Sequence, residues 1–229
     1  ESDSTAIWAA IESNPNKKHI ITSRVEHPAI KNLYESLSKK GYRVTFVPVD
    51  GQGILDQDYL YENLSEDTAV VSLMWANNET GVIFPIEEIS QKVKDRGIVF
   101  HTDAVQAVGK IPIDIKETGV DLLSLSGHKL HAPKGIGVLY IRKGTKFSPF
   151  MIGGHQEKGR RGGTENVASI IGLGKAAELA KKHLDENAYD RIGQLRDKLE
   201  TTLVANISHS MVNGDRQHRL LNTTSIAFE

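Results

Sequence analysis

Short apolar segments alternate with helix-forming segments along most of the sequence. The apolar segments include residues 19–22, 69–75, 98–101 and 120–125, which have the length of strands and are apolar on both faces. Strands of this kind are typical of parallel sheets that helices cover on both sides. The sequence therefore predicts an α/β fold with a mainly parallel sheet. Further strands are expected at 43–49 and 137–141.

The second half of the sequence has a different character. Residues 143–163 are rich in glycine and basic side chains, and this stretch is too long for a simple connector. Amphipathic patterns then predict helices at 167–184 and 186–204. We expect residues 1–184 to form a large domain, and residues 185–229 to form a long connecting helix and the beginning of a smaller α/β domain.

The overall charge is close to zero, with 28 Lys and Arg against 29 Asp and Glu. Such a balance argues against binding to nucleic acid or to an anionic membrane. The sequence shows neither a signal peptide nor an apolar run of transmembrane length, so a cytoplasmic location is expected. There is no cysteine, which excludes a thiol nucleophile and cysteine metal sites within these residues. No metal site is expected.

The stretch from Asp121 to Gly137 combines a buried strand with reactive side chains. Its apolar first residues end at Ser126, and His128 and Lys129 follow directly. A lysine that leaves a buried strand beside a hydroxyl and an imidazole is a candidate to lose its proton through desolvation, which a Schiff-base lysine requires. Taken alone, the same stretch is also compatible with a surface loop that carries a solvated lysine.

Other polar side chains follow the ends of neighbouring predicted strands. Ligands of open parallel sheets bind at the carboxyl ends of the strands. The residues at these ends are His27, Asn78, Asp103, Gln106, Ser126, His128 and Lys129. This set suits pyridoxal 5'-phosphate, because a carboxylate can pair with the ring nitrogen, an amine can bond the aldehyde and an imidazole can stack on the ring. A hydroxyl and a second imidazole can hold the phosphate.

Each of these residues, and the polar residues Arg160, Arg161 and Thr164 further along the sequence, also has a simpler explanation. Asp103 could cap a helix that starts at Ala104, and Thr164 could cap the helix that it precedes. His27 could be a partly buried loop histidine, and Asn78 a turn residue. Gln106 could be a solvated side chain of a first helical turn, Ser126 a hydroxyl bonded to the backbone, and Arg160 with Arg161 a solvated basic turn. The appearance of so many suitable groups at successive strand ends favours the cofactor site.

Five segments together resemble the NifS/IscS family of cysteine desulfurases, which are fold-type I pyridoxal-phosphate enzymes. The segments are 24–30, 75–81, 101–106, 124–129 and 153–166, and they follow in order with family-like spacing. The resemblance implies that Lys129 is the Schiff-base lysine, that Asp103 faces the ring nitrogen and that His27 stacks on the ring. It places Asn78 and Gln106 near the ring hydroxyl, and Ser126 and His128 at the phosphate. It also implies a homodimer, in which Thr164 reaches the phosphate of the partner subunit.

The same resemblance implies a reaction. L-cysteine would be converted to L-alanine, and its sulfur would pass through a persulfide to an iron-sulfur scaffold or another acceptor. Lys129 would take the α-proton, and His27 would assist as an acid or base. A selenocysteine lyase, a related lyase or aminotransferase, and a catalytically silent cofactor-binding scaffold are the alternatives.

The resemblance also implies parts that are absent from these residues. A Gly-Thr-type phosphate turn before Glu1, a loop with the catalytic cysteine and an arginine for the substrate carboxylate have no counterpart here. We therefore expect the sequence to be a core fragment that is inactive by itself.

Overall fold

A six-stranded sheet runs through the centre of the computed structural model, which describes residues 1–229. The strands are β1 (His19–Ser23), β2 (Arg43–Val47), β3 (Thr68–Met74), β4 (Val99–Asp103), β5 (Leu122–Ser126) and β6 (Gly137–Ile141). Their order across the sheet is β2-β1-β3-β4-β5-β6. The first five strands are parallel, and β6 is antiparallel to β5. The predicted mainly parallel α/β fold is confirmed.

Helices cover both faces of this sheet. They are α1 (Ser2–Glu12), α2 (Pro28–Lys39), α3 (Gln57–Asn63), α4 (Ile86–Lys94), the four-residue α5 (Gln156–Gly159), α6 (Val167–Asp185) and α7 (Ala188–Asn206). α1 and α2 bury Ile7, Ile11 and Leu37 against one face. α3 and α4 bury Leu60 and Ile89 against the other face.

Neighbouring strand residues divide between the two faces. Ile20 and Val70 lie in the core under α1 and α2, whereas Ile21 and Val71, one position further along, lie in the core under α3 and α4. Successive strand side chains point to opposite faces of a sheet. This alternation explains why the strand segments are apolar throughout, because both of their faces are buried.

Two buried histidines connect adjacent strands through hydroxyl groups. His19 on β1 contacts Thr68 Oγ1 at 2.9 Å and Thr45 Oγ1 at 2.8 Å, and these lie on β3 and β2. His101 on β4 contacts Ser72 Oγ on β3 at 2.8 Å and Ser124 Oγ on β5 at 2.9 Å. Burial lowers the pKa of each histidine to about 4, so both rings are neutral bridges at pH 7.

Several boundaries differ from the sequence prediction for local reasons. β2 ends at Val47 because Pro48 has no N–H for the ladder. Residues 105–110 form a run of turns and no helix starts at Ala104, so the alternative that Asp103 caps such a helix is wrong. A short strand, β7 (Ser210–Val212), was not predicted and pairs with β8 (Ile226–Phe228) in a separate antiparallel sheet.

The segment between β7 and β8 returns to the central sheet. Leu220 is buried in the same core as Val82 and Phe84. Its N–H donates to Gly81 O at 2.9 Å, and Ile83 N–H donates to His218 O at 2.9 Å. Part of the segment assigned to the smaller domain therefore contacts the region assigned to the large one, and the boundary between 184 and 185 stays a prediction.

Candidate active site

A cavity of about 870 Å³ opens at the carboxyl ends of the central strands. β1 and β3 are neighbours, and the strand order reverses between them, which is where open α/β sheets bind ligands. All of the residues that sequence analysis selected line this cavity: His27, Asn78, Asp103, Gln106, Ser126, His128, Lys129 and Thr164. Loops that are far apart in the sequence are thus brought to one place, because parallel strands end at the same edge.

Lys129 lies in a short 3₁₀ turn, Gly127–Leu130, that directly follows β5. Its side chain lines the cavity and is exposed. The sequence argument expected desolvation of this amine by the buried strand, and that expectation is wrong for this structure. The strand places the lysine at the cavity but does not bury it.

Ser126 and His128 form a pair on the same wall. Ser126 Oγ lies 2.7 Å from His128 Nδ1. The alternative in which the Ser126 hydroxyl bonds to the backbone is therefore wrong. One proton is used in this contact, so the pair keeps one donor for an anionic group when the imidazole is neutral and two when the imidazole is protonated on both nitrogens.

Asp103 is the buried carboxylate of the cavity. It ends β4, and its Oδ1 accepts a hydrogen bond from Val105 N–H at 2.9 Å. Burial, followed by the charge of Asp3, raises its pKa to about 7. The neighbouring charge is thus another carboxylate, and no cation of this chain compensates Asp103. A cationic group in the cavity would remove that penalty.

Glu26 is a second buried acid beneath this end of the sheet, and sequence analysis missed it. Its Oε1 accepts from Ser23 Oγ at 2.6 Å and from Met74 N–H at 3.0 Å, whereas its Oε2 is buried without a partner. Burial raises the pKa of Glu26 to about 8, so the side chain is mainly protonated at pH 7. No sequence signal marks it, since Glu26 stands in a polar loop and its burial results from packing against β3.

Asp3 adds a carboxylate from the first turn of α1. Its side chain lines the cavity, and its Oδ1 is buried without a hydrogen-bond partner. The oxygen lies 3.7 Å from His101 Nε2, but that ring is neutral at pH 7. Asp3 and Asp103 thus place two carboxyl groups in the cavity lining, and the buried Glu26 lies close enough to interact with both through charge.

His27 and Asn78 are presented by loops after β1 and β3. His27 is exposed and caps α2, because its Nδ1 accepts from Ala29 N–H at 3.2 Å. Its Nε2 remains free to face the cavity. Asn78 donates from Nδ2 to Glu79 Oε1 at 2.7 Å. The turn that carries it is held by Asn77 Oδ1, which accepts from Glu79 N–H and Thr80 N–H at 2.9 Å each.

Gln106 lies on the turns after β4. Its Oε1 accepts a hydrogen bond from Lys110 Nζ at 2.6 Å. The alternative of a solvated side chain is therefore wrong, since Gln106 is half-buried and bonded. Lys110 is a further residue that sequence analysis missed, although its spacing of four residues from Gln106 could have indicated it.

The Gly-rich segment closes one side of the cavity. Arg161 donates to Glu1 from Nε at 2.9 Å and from Nη2 at 3.2 Å, so it is not simply a solvated basic residue. Thr164 is exposed and does not cap α6, because Asn166 Oδ1 accepts from Ser169 N–H at 3.2 Å in that role. Thr164 has no hydrogen-bonding role within this chain.

The arrangement suits a ligand with three features. An electrophilic carbon would meet the amine of Lys129, and a cationic ring atom would compensate the buried carboxylate of Asp103. Anionic oxygens would meet the donors Ser126 and His128. The donor set of this chain thus fits a ligand that carries both signs of charge and a carbonyl.

Comparison with known protein families assigns the chain to one of them. The model of the family described as aminotransferase class-V matches residues 1–229. The chain belongs to this family. The match to the class-V aminotransferases includes all of the cavity residues and the strands of both sheets.

Relatives of this class-V chain include named cysteine desulfurases. It is 56% identical over 229 residues to cysteine desulfurase NifS of Azotobacter vinelandii, covering 100% of this chain and 57% of the relative. It is also 56% identical over 229 residues to a cysteine desulfurase of Trichormus azollae, with the same coverage. The chain therefore spans 57% of the length of these relatives. The resemblance to NifS-type cysteine desulfurases found in the sequence is confirmed.

Solved structures share the fold. A NifS-like protein superposes with a TM-score of 0.94 at 40% identity, covering 99% of this chain and 62% of its own. The structure described as SspA in complex with cysteine superposes with a TM-score of 0.85 at 33% identity, covering 100% of this chain and 63% of its own. The expected NifS-like fold-type I architecture is thus confirmed. No helix of this class-V chain combines the length and apolar character needed to cross a lipid bilayer.

Proposed function

We propose that the protein is a pyridoxal-phosphate-dependent cysteine desulfurase. L-cysteine and a protein thiol would yield L-alanine and a persulfide, so that the sulfur moves to the thiol and a proton replaces it on carbon. The observation that supports this most directly is a single cavity holding the amine of Lys129 and the uncompensated carboxylate of Asp103. Identity of 56% to NifS of Azotobacter vinelandii is consistent with it.

Pyridoxal phosphate would supply an aldehyde that bonds amines and a protonated ring that withdraws electrons from the substrate's α-carbon. Asp103 would hold the proton on the ring nitrogen, because a buried carboxylate without a cation gains most from a cationic partner. Lys129 Nζ would bond the aldehyde carbon and then accept the α-proton of the substrate. His27, with Nε2 free, would lie against the ring.

The remaining cavity residues would orient the cofactor. Ser126 and His128 would bind its phosphate, because their hydroxyl and imidazole groups lie together on the cavity wall. Asn78 and Gln106 would bind on the side of the ring oxygen. Thr164 is exposed and unbonded within this chain, which is consistent with a role toward the phosphate in a partner subunit. We therefore propose a homodimer.

The proposed reaction needs a cysteine thiol to accept the sulfur, and these residues do not contain one. None of the 229 residues is a cysteine, so the accepting thiol lies outside them. We propose that the persulfide sulfur then passes to an iron-sulfur scaffold or another acceptor protein. Residues 1–184 would form the cofactor-binding domain, and 185–229 the connection to a smaller one.

Reduction with borohydride tests the cofactor site. The protein is incubated with pyridoxal phosphate, reduced and digested, and the modified peptide is identified by mass spectrometry. We expect one adduct, on Lys129, and we expect Lys129→Ala to abolish it, whereas the control Lys134→Ala retains it. An adduct distributed over surface lysines, or one that persists in Lys129→Ala, would contradict the assignment.

Substrate comparison tests the reaction class. The loaded protein is mixed with L-cysteine, L-selenocysteine or cysteine sulfinate, and the visible spectrum and the products are followed. L-cysteine is expected to change the spectrum at the lowest concentration, with alanine formed once an accepting thiol is present. A response to selenocysteine alone would assign a selenocysteine lyase, and a spectrum unchanged by all three would indicate a silent scaffold.

A further inference from the structure

Lys110 is a half-buried amine directly behind the wall of the cavity. Its Nζ donates to Gln106 Oε1 at 2.6 Å, and no carboxylate of the chain pairs with it. Gln106 lines the cavity, whereas Lys110 does not. The amine therefore reaches the cavity only through the amide of Gln106.

The surroundings of Lys110 disfavour its positive charge. Burial, and after it the charge of Lys129, lowers the pKa of Lys110 to about 8. An amine that is partly desolvated beside a second amine, with no carboxylate to compensate it, carries a free-energy cost. Groups that are held at such a cost beside a cavity point to a role in that cavity.

The turns after β4 are held tightly against the segment that carries Lys129. Gly109 has a positive φ of 76°, and a side-chain Cβ there would lie 2.6 Å from Leu130 Cδ2 and 3.0 Å from Ala180 Cβ. Leu130 directly follows Lys129. Gln106 and Lys110 are therefore fixed beside the Lys129 turn by this close approach.

The chemistry of the amine determines which way the amide faces. An ammonium group has only hydrogen-bond donors, so it selects the oxygen of Gln106 and leaves the NH₂ group free. Gln106 thus presents donors to the cavity, with the positive charges of Lys110 and Lys129 close by. A wall of this kind binds an acceptor, and an anionic oxygen best of all.

We infer that Lys110 is a positioning residue, which fixes Gln106 with its NH₂ group toward the cavity so that the pair selects the anionic ring oxygen of pyridoxal phosphate. This inference rests on the proposed function. In this cofactor the ring oxygen is on the carbon next to the one that carries the aldehyde. A donor held beside Lys129 therefore meets that oxygen when Lys129 reaches the aldehyde.

A pair of ligands isolates the effect. Pyridoxal phosphate is compared with its deoxy analogue, in which hydrogen replaces the ring oxygen, and the dissociation constant of each is measured by equilibrium dialysis. A hydrogen bond to a charged group is worth about tenfold or more in affinity. The preference for pyridoxal phosphate is the ratio of the analogue's dissociation constant to that of pyridoxal phosphate. We expect this ratio to fall about tenfold from wild type to Lys110→Met, whereas the affinity for the analogue should change little.

Three further variants complete the comparison. Lys110→Arg keeps donors and charge, and should retain most of the preference. Gln106→Glu would place an acceptor opposite the ring oxygen, and should reverse the preference toward the deoxy analogue. Lys92→Met removes a lysine with the same 2.6 Å contact to an acceptor four residues away, but outside the cavity, and should behave as wild type.

The outcomes separate this inference from the proposed function. Circular dichroism checks that each variant is folded, and if Lys110→Met is not, Gln106→Glu and Lys110→Arg decide. An unchanged preference in Lys110→Met or Gln106→Glu overturns the inference, and so does an equal loss of affinity for both ligands. If one of these results is found while the wild-type protein still forms the Lys129 adduct, the positioning role of Lys110 is rejected and the proposed function stands. Absence of the adduct overturns the proposed function and the inference together.

Discussion

At the scale of single residues, burial moves the titration of the groups around the cavity toward neutral pH. The pKa values of Glu26 and Asp103 are raised to about 8 and about 7, whereas that of Lys110 is lowered to about 8. All three shifts oppose the charged form, and burial is the main cause of each. A ligand that brings compensating charge therefore changes the protonation of these groups.

Glu26 provides a prediction for the dependence of stability on pH. The folded protein holds this proton up to about pH 8, but the unfolded chain releases it near 4.5, so stability falls as the pH rises through this range. The two buried histidines act in the opposite direction only between about 4 and 6.5. Between pH 7 and 8, we expect the wild-type protein to lose about 1 kcal/mol and Glu26→Gln to lose much less.

Urea unfolding of the cofactor-free protein at these two pH values measures the effect. The amide introduced by Glu26→Gln has the shape of the protonated acid, so the variant should be folded and the comparison direct. Glu62→Gln, at an exposed position, is the control and should keep the wild-type slope. Equal slopes for all three proteins would show that Glu26 is ionised in the folded state.

At the scale of elements, the loop before β5 is held against α4 by a glycine. Gly119 N–H donates to Ser90 Oγ at 3.0 Å, and a Cβ at this position would overlap the carbonyl group of Ser90. Backbone atoms cannot give way as a flexible side chain can, so even alanine must displace the helix or the loop. Since β5 leads directly to Lys129, this contact also positions the cavity.

We therefore expect Gly119→Ala to destabilise the protein by about 3 kcal/mol or more. Gly51→Ala is the matched control, because nothing lies within 4 Å of a Cβ there, and it should change stability by about 0.5 kcal/mol or less. Thermal unfolding of both variants measures the difference. Similar midpoints would mean that the loop and α4 move apart at little cost.

At the scale of the whole molecule, a buried ion pair joins α7 to the segment that returns to the sheet. Arg219 donates to Glu200 from Nη1 at 2.5 Å and from Nη2 at 2.7 Å, and both side chains are buried. Thr224 also bonds to Glu200. The neighbouring Leu220 is buried in the main core, so the pair connects the C-terminal helix with the sheet that carries the cavity.

Removal of one partner should cost more than removal of both. Arg219→Met removes the two short hydrogen bonds of Glu200 to a cation and leaves only the 3.8 Å contact with Arg216, so we expect a loss of about 3 kcal/mol in the free energy of unfolding. The double variant Arg219→Met with Glu200→Leu should recover a large part of this loss, since no unpaired charge remains. A double-mutant cycle in urea measures the coupling, and simple additivity of the two single effects would contradict it.

The sequence by itself determined the strands of the central sheet, the helices α6 and α7 and most of the residues at the cavity edge, because hydrophobic periodicity and strand-end position are local properties. His27, Asn78, Asp103, Gln106, Ser126, His128 and Lys129 could be selected from strand-end position before their loops were brought together, whereas Thr164 was added by the family resemblance. The parallel sheet then makes their convergence a consequence of topology. The roles assigned to these eight residues remain predictions.

Tertiary structure alone decided which of the polar groups are buried and which bond to each other. It leaves Lys129 exposed, buries Glu26 and Glu200, and connects His19 and His101 to hydroxyls on neighbouring strands. These outcomes depend on residues distant in sequence, such as Met74 for Glu26 and Arg219 for Glu200. Desolvation and pairing are set by three-dimensional neighbours, and no local pattern of side chains encodes them.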